Sequence, residues 1–171
     1  MTDQASAVLA QLQARQETLA TAESLSGGML GAAITAVSGA SQSYRGGVIP
    51  YATELKATLA GVSKSTLAQA GPVDARTAAE MATGVRERLG ADWGLALTGV
   101  AGPEPQDGHP VGQVFVGIAG PNGTTTVELR LAGDRSTVRH RCVAEALSAL
   151  STALDRPPGR SRPPRPTHRE T

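Results

Sequence analysis

The segment Trp93-Gly94-Leu95-Ala96-Leu97-Thr98 restricts the fold more than any other part of the chain. It carries no charge and no apolar–polar alternation, the pattern of a strand covered on both faces rather than wet on one. Such a strand needs helices on both sides, and neighbouring segments provide them. Residues 3–15 place Val8, Leu9 and Leu12 at helical spacing, and residues 74–89 put Ala78, Met81, Ala82, Val85 and Leu89 on one face. Asp134 can cap a last helix whose inward face holds Val138, Cys142, Val143, Ala146, Leu147, Leu150 and Leu154.

Further strands flank these helices. Residues 18–22 form a short β-leaning run that stops at Glu23-Ser24. After it, Gly27-Gly28 open an apolar, Ala-rich stretch over 29–37 that is too long for a strand. Residues 46–51 predict a second strand, with Thr53 capping a helix over 54–59 and another helix over 65–70. Residues 113–119 and 125–131 predict two strands joined by Gly120-Pro121-Asn122-Gly123, a turn short enough to make an antiparallel hairpin. Strands alternating with helices and closed by one hairpin imply an α/β fold, a five-stranded mixed sheet sandwiched by helices. The folded domain is expected over residues 1–155.

Residues 156–171 differ in kind. They hold five Arg, one Glu and five of the eleven prolines, too few apolar groups to build a core, so a disordered Pro/Arg-rich tail is expected. The tail carries +4 of formal charge and the remainder −3, so the folded part is mildly acidic. That balance, with only four aromatic residues in the chain, argues against a base-stacking nucleic-acid platform, leaving any such contact to the tail. The single cysteine, Cys142, excludes an internal disulfide and a multi-cysteine zinc site. His109, His140 and His168 lack metal-ligand spacing, and neither a metal nor another cofactor is expected. No apolar run is long enough to span a bilayer and the N-terminus does not read as a secretory signal, so the expected location is cytoplasmic, without membrane contact.

Ligands of open α/β sheets bind beyond the carboxyl ends of the strands. Three polar segments fall at such ends: residues 22–28, residues 51–56 and residues 98–103. Gly27 and Gly28 open a helix, where N–H groups could hold an anion or a developing oxyanion, or where a serine simply caps the helix. Their spacing matches neither the dinucleotide nor the Walker fingerprint. Fourteen Arg stand against two Lys, and only a lysine can lose its proton and act as a base, which singles out Lys56 over Lys64 in its turn. A neutral lysine near a serine suggests Ser–Lys catalysis, with Ser24, Ser26, Ser38, Ser41 and Ser43 as candidates. Arg135 and Arg139 sit in the first turns of the last helix, where cations oppose its dipole. Either Asp134 compensates them or a bound phosphate or carboxylate does. Glu23, Glu104 and Asp107 could polarise a site, although most such acids are merely solvated.

In combination these segments resemble the C-terminal domain of the CinA family, the nicotinamide-nucleotide amidases. The resemblance rests on Thr21-Ala22-Glu23-Ser24-Leu25-Ser26-Gly27-Gly28, Ser38-Gly39-Ala40-Ser41, and Tyr51 with Lys56. It also rests on Thr98-Gly99-Val100-Ala101-Gly102-Pro103, Pro110-Val111-Gly112, and Gly133-Asp134-Arg135 with Val138-Arg139. It implies a three-layer α/β/α sandwich that hydrolyses the carboxamide of nicotinamide mononucleotide to the acid and ammonia, a step of pyridine nucleotide recycling. By the same resemblance, Ser41 is expected as nucleophile, Lys56 as general base, and Ser24, Tyr51 and Thr98 as orienting or oxyanion groups. Gly27, Gly28, Gly99, Gly102, Arg135 and Arg139 are expected to bind substrate, and a homo-oligomer is expected. A neighbouring cation such as Arg135 would help keep Lys56 neutral. The alternative is a non-catalytic nucleotide- or partner-binding module linked to competence or DNA damage. Ser26 stands where the family usually has Thr, and Pro50 before Tyr51 suggests an edge or bulged strand. The larger members carry an N-terminal domain without counterpart in these residues, so no second activity from it is expected.

Overall fold

The computed structural model describes residues 1–156. Its elements in order are α1 (Thr2–Ala14), β1 (Leu19–Glu23), α2 (Met29–Thr35), a 3-10 turn (Ala40–Gln42), β2 (Tyr44–Val48), α3 (Thr53–Thr58), α4 (Lys64–Ala70), α5 (Ala75–Arg88), β3 (Trp93–Gly99), β4 (Gln113–Gly120), β5 (Gly123–Arg130) and α6 (Arg135–Leu154). The sheet runs β2-β1-β3-β4-β5. β1 is parallel to both β2 and β3, whereas β3–β4 and β4–β5 are antiparallel. The expected five-stranded mixed sheet, closed by a hairpin and covered by helices, is the fold observed.

The apolar run at β3 hides an alternation of size. Trp93, Leu95 and Leu97 join the core cluster shared with α1, α2 and α6, which includes Val8, Leu12, Leu30, Ile34, Val143 and Leu147. Ala96, on the opposite face, packs with Ala20, Ala22, Ala119 and the α5 residues Met81, Ala82 and Val85. Small side chains on that face let α5 lie almost on the strand backbone. A Cβ on Gly94 would fall 2.0 Å from the Ala82 carbonyl oxygen, and one on Gly117 would fall 2.0 Å from that of Ala78. Only glycine admits so close an approach. Each fully buried Leu, Ile or Val adds roughly 1.5–3 kcal/mol, and the thick α1/α6 face holds most of them.

Element boundaries differ from the sequence reading in two places that matter. β2 spans Tyr44–Val48 rather than 46–51; it is an edge strand and ends before Pro50, which lies in the connection to α3. α2 stops at Thr35, short of Val37, as the chain turns through Gly39 at φ 81° into the 3-10 turn. Of the expected tail, all but Arg156 lies outside the described residues. No helix among the described residues is long and apolar enough to cross a membrane.

Gly117→Ala is expected to destabilise the protein by about 1–3 kcal/mol, because the added methyl must displace α5. Thr126→Ala, at the position paired with Gly117 on exposed β5, is expected to cost less than about 1 kcal/mol. Urea denaturation of the two variants measures the difference, and equal midpoints would contradict the close helix–strand contact.

Candidate active site

Because β1, β2 and β3 run parallel, their carboxyl ends share one rim, and the three polar segments converge there. Ser24 stands one residue beyond β1, held by its N–H to the Leu97 carbonyl of β3 at 2.9 Å. Lys56 projects from α3 into the sheet end and is only 2% exposed. Its Nζ reaches Ser24 Oγ at 2.8 Å and the Pro50 carbonyl at 3.1 Å. None of the ion pairs among the described residues involves Lys56. Burial of the amine pushes its pKa down from 10.5 to about 8, so a usable fraction is neutral near physiological pH. A neutral Nζ at this distance can take the serine proton.

The pair opens onto a cleft of about 590 Å³, its solvent-filled mouth included, within the size range of small-molecule sites. Thr98, fully buried, lines the cleft and donates its hydroxyl to the Pro72 carbonyl at 2.6 Å. Gly99 and Gly102 form part of the wall. At the mouth, Arg135 donates to the Gly102 carbonyl and, at 3.1 Å, to the Tyr51 hydroxyl, leaving an exposed cation and an exposed ring side by side.

Several expected roles are corrected. Ser41 lies exposed on the 3-10 turn that precedes β2, at the opposite end of the sheet from Lys56, and does not line the cleft. The five residues of β2 alone put roughly 16 Å between the two ends. Ser38 is likewise exposed; Ser43 is buried at that far end, and Ser26 is committed to Glu23, so Ser24 is the candidate serine within reach of the amine. Gly27 and Gly28 do not present their amides to a ligand. Gly27 N–H bonds the Ser24 carbonyl at 3.1 Å, and Gly28 N–H bonds Glu23 Oε2 at 3.0 Å. Glu23 also accepts the N–H groups of Leu30 and Gly31, so the helix end is filled from within.

Arg139 turns inward rather than toward substrate, donating to the Leu25 and Ser26 carbonyls at 3.0 and 2.9 Å. The charge problem at the start of α6 is therefore met by Asp134, which caps the helix by accepting the Thr137 N–H at 2.7 Å, and by backbone carbonyls. Hydrogen bonding by the Thr137 side chain first, and by its backbone N–H second, holds the Asp134 carboxyl below its usual value. Burial, and not the Arg135 charge, lowers the Lys56 pKa.

A family model described as the CinA C-terminal domain matches residues 1–154. A CinA-like protein of Frankia casuarinae is 52% identical over 147 residues, covering 86% of this chain and 34% of that protein. A CinA-like protein of a Synechococcus strain is 47% identical over 153 residues, covering 88% and 36%. The chain thus spans about a third of the length of these curated relatives. Among solved structures, a competence-damaged protein (CinA) superfamily protein of Klebsiella pneumoniae superposes with a TM-score of 0.86 at 34% identity, covering 90% of this chain and 96% of that one. A competence/damage inducible protein of Agrobacterium tumefaciens gives 0.85 at 31% identity, covering 91% and 95%.

The depressed Lys56 pKa sets a pH dependence of stability. At neutral pH the amine is mostly charged in both states and its burial disfavours the fold, on the order of 3 kcal/mol. Above pH 8 the folded state releases the proton before the unfolded one does, so stability is expected to rise between about pH 8 and 10.5. Denaturation of the wild type across that window, compared with Lys56→Met, checks this: the variant should lack the Lys56 contribution to the rise. Identical pH slopes in both proteins would contradict it.

Proposed function

The chain belongs to the CinA C-terminal domain family, and on that premise we propose that its cleft hydrolyses a carboxamide, that of nicotinamide mononucleotide, with Ser24 as nucleophile and Lys56 as general base. The observation that carries the reading is the 2.8 Å contact between Ser24 Oγ and a buried amine with a lowered pKa. Lys56 takes the hydroxyl proton as Oγ attacks the amide carbon, and the ammonium so formed gives a proton to the departing nitrogen. Ammonia leaves an acyl-Ser24. Water then attacks that ester, losing a proton to Lys56, which returns it to Ser24 as the acid is released.

The oxyanion needs N–H donors at the cleft wall. Leu25, Ala101 and Gly102 line it with backbone outside any helix or strand, and their amides are assigned that role in place of Gly27 and Gly28. The positively charged pyridinium of the substrate withdraws electrons and makes its amide more electrophilic. Arg135, with Tyr51 beside it, suits the phosphate at the other end of the molecule.

Ser24→Ala and Lys56→Ala are each expected to lower kcat for ammonia release from the mononucleotide by about 10³-fold or more, as removal of a nucleophile or its base does elsewhere. Ser41→Ala is expected to stay within about twofold of wild type, since that side chain is outside the cleft. The rate should rise with pH toward about 8 as Lys56 loses its proton. Binding of the mononucleotide with no ammonia release by the wild type would instead favour a nucleotide-binding module.

A further inference from the structure

Glu23 is a buried acid that the proposed reaction does not use. It is 2% exposed, is absent from the cleft wall, and immediately precedes Ser24. Its two oxygens accept four hydrogen bonds: from Ser26 Oγ at 2.7 Å, Gly28 N–H at 3.0 Å, Leu30 N–H at 2.9 Å and Gly31 N–H at 2.8 Å. The chain between Glu23 and α2 is further tied by Gly27 N–H to the Ser24 carbonyl and by Arg139 to the Leu25 and Ser26 carbonyls. The Glu23 side chain thus divides its two oxygens between the turn that carries the nucleophile, at Ser26 and Gly28, and the first amides of α2, at Leu30 and Gly31.

We infer that Glu23 is a positioning residue for Ser24: its carboxylate locks the turn 24–28 onto the first amides of α2, and that lock aims Ser24 Oγ at Lys56. The inference rests on the Ser24–Lys56 reading of the site. The acid touches neither the cleft nor the amine, so it acts through geometry alone. A carboxylate suits the task because it only accepts, and all four of its partners donate. A carboxamide of the same shape would turn an NH2 group toward donors and break the net on one side.

Glu23→Gln tests this. A misplacement of the nucleophile by a fraction of an ångström to an ångström predicts a fall in kcat of about 10- to 100-fold with KM within about threefold. Ile34→Ala removes a buried side chain from α2 without touching the net, and serves as the control for lost stability. It should lower the melting temperature at least as much yet keep kcat within about threefold. Should Glu23→Gln not fold, Ser26→Ala removes one of the four donors and is expected to lower kcat about three- to tenfold at unchanged KM. Unchanged kcat in the folded Glu variant, or in Ser26→Ala if that variant is used, would overturn the proposal. So would a loss in Ile34→Ala that tracks its melting temperature as closely. A crystal structure of the Glu23→Gln or Ser26→Ala variant separates this proposal from the amidase reading. If the wild type releases no ammonia, an Oγ–Nζ distance still at 2.8 Å overturns the positioning role, and a lost contact upholds it.

Discussion

An ammonium group in this protein is buried almost completely, with a serine hydroxyl and a proline carbonyl against it and no carboxylate among its recorded partners. Nearly everything else at the rim follows from that. Withdrawn from water without a counter-charge, the amine gives up its proton more readily than an exposed lysine does, and its pKa falls to about 8. A lysine with an ion-pair partner at the same place would stay protonated and could not act as a base. The isolation of Lys56 is therefore chemically useful and thermodynamically costly. The rest of the domain must carry that cost through its core.

The core does so by dividing labour between the two faces of the sheet. Large side chains from β1, β3 and β4 pack under α1, α2 and α6, while alanines and glycines on the other face bring α5 against the strand backbone. Three parallel strands then end at one level. The chain leaves β1 at Ser24, enters α3 after β2, and leaves β3 at Thr98 and Gly99, so residues 24, 56 and 98, far apart in sequence, line one cleft. α6 closes the arrangement with two arginines one turn apart. Arg135 faces the mouth, and Arg139 holds the carbonyls of the nucleophile turn.

Much of this was legible in the residues alone. The uncharged run at 93–98 demands cover on both faces, and the short turn after Ala119 demands a hairpin; both are found. Lys56 stood out because a chain that otherwise uses arginine retained an amine there. The serine was harder. Ser41 is closer to Lys56 in the chain, but β2 runs between them and carries them to opposite ends of the sheet, whereas Ser24, 32 residues away, ends the neighbouring parallel strand. Direction along a strand is a tertiary property, and no local pattern encodes it. Glu23 and Arg139 escape the sequence for a related reason. The acid reads as solvated or as polarising a site and the arginine as a substrate ligand, and only the fold shows that the amides just after Glu23 fold back onto it and that the carbonyls of a distant turn take Arg139. An acid directly before the serine, with glycine-rich helix amides five to eight residues on, was the available signal.

The central claim, a desolvated amine poised on Ser24, can be read directly from the titration of Lys56. With only two lysines in the chain, labelling the lysine side chains with carbon-13 at the ε position yields two NMR signals, and exposed Lys64 provides the comparison. Titration of the Lys56 signal near pH 8 is the result this account requires. A Lys56 signal that titrates at the ordinary value of 10.5 would mean a solvated, charged amine and would contradict it.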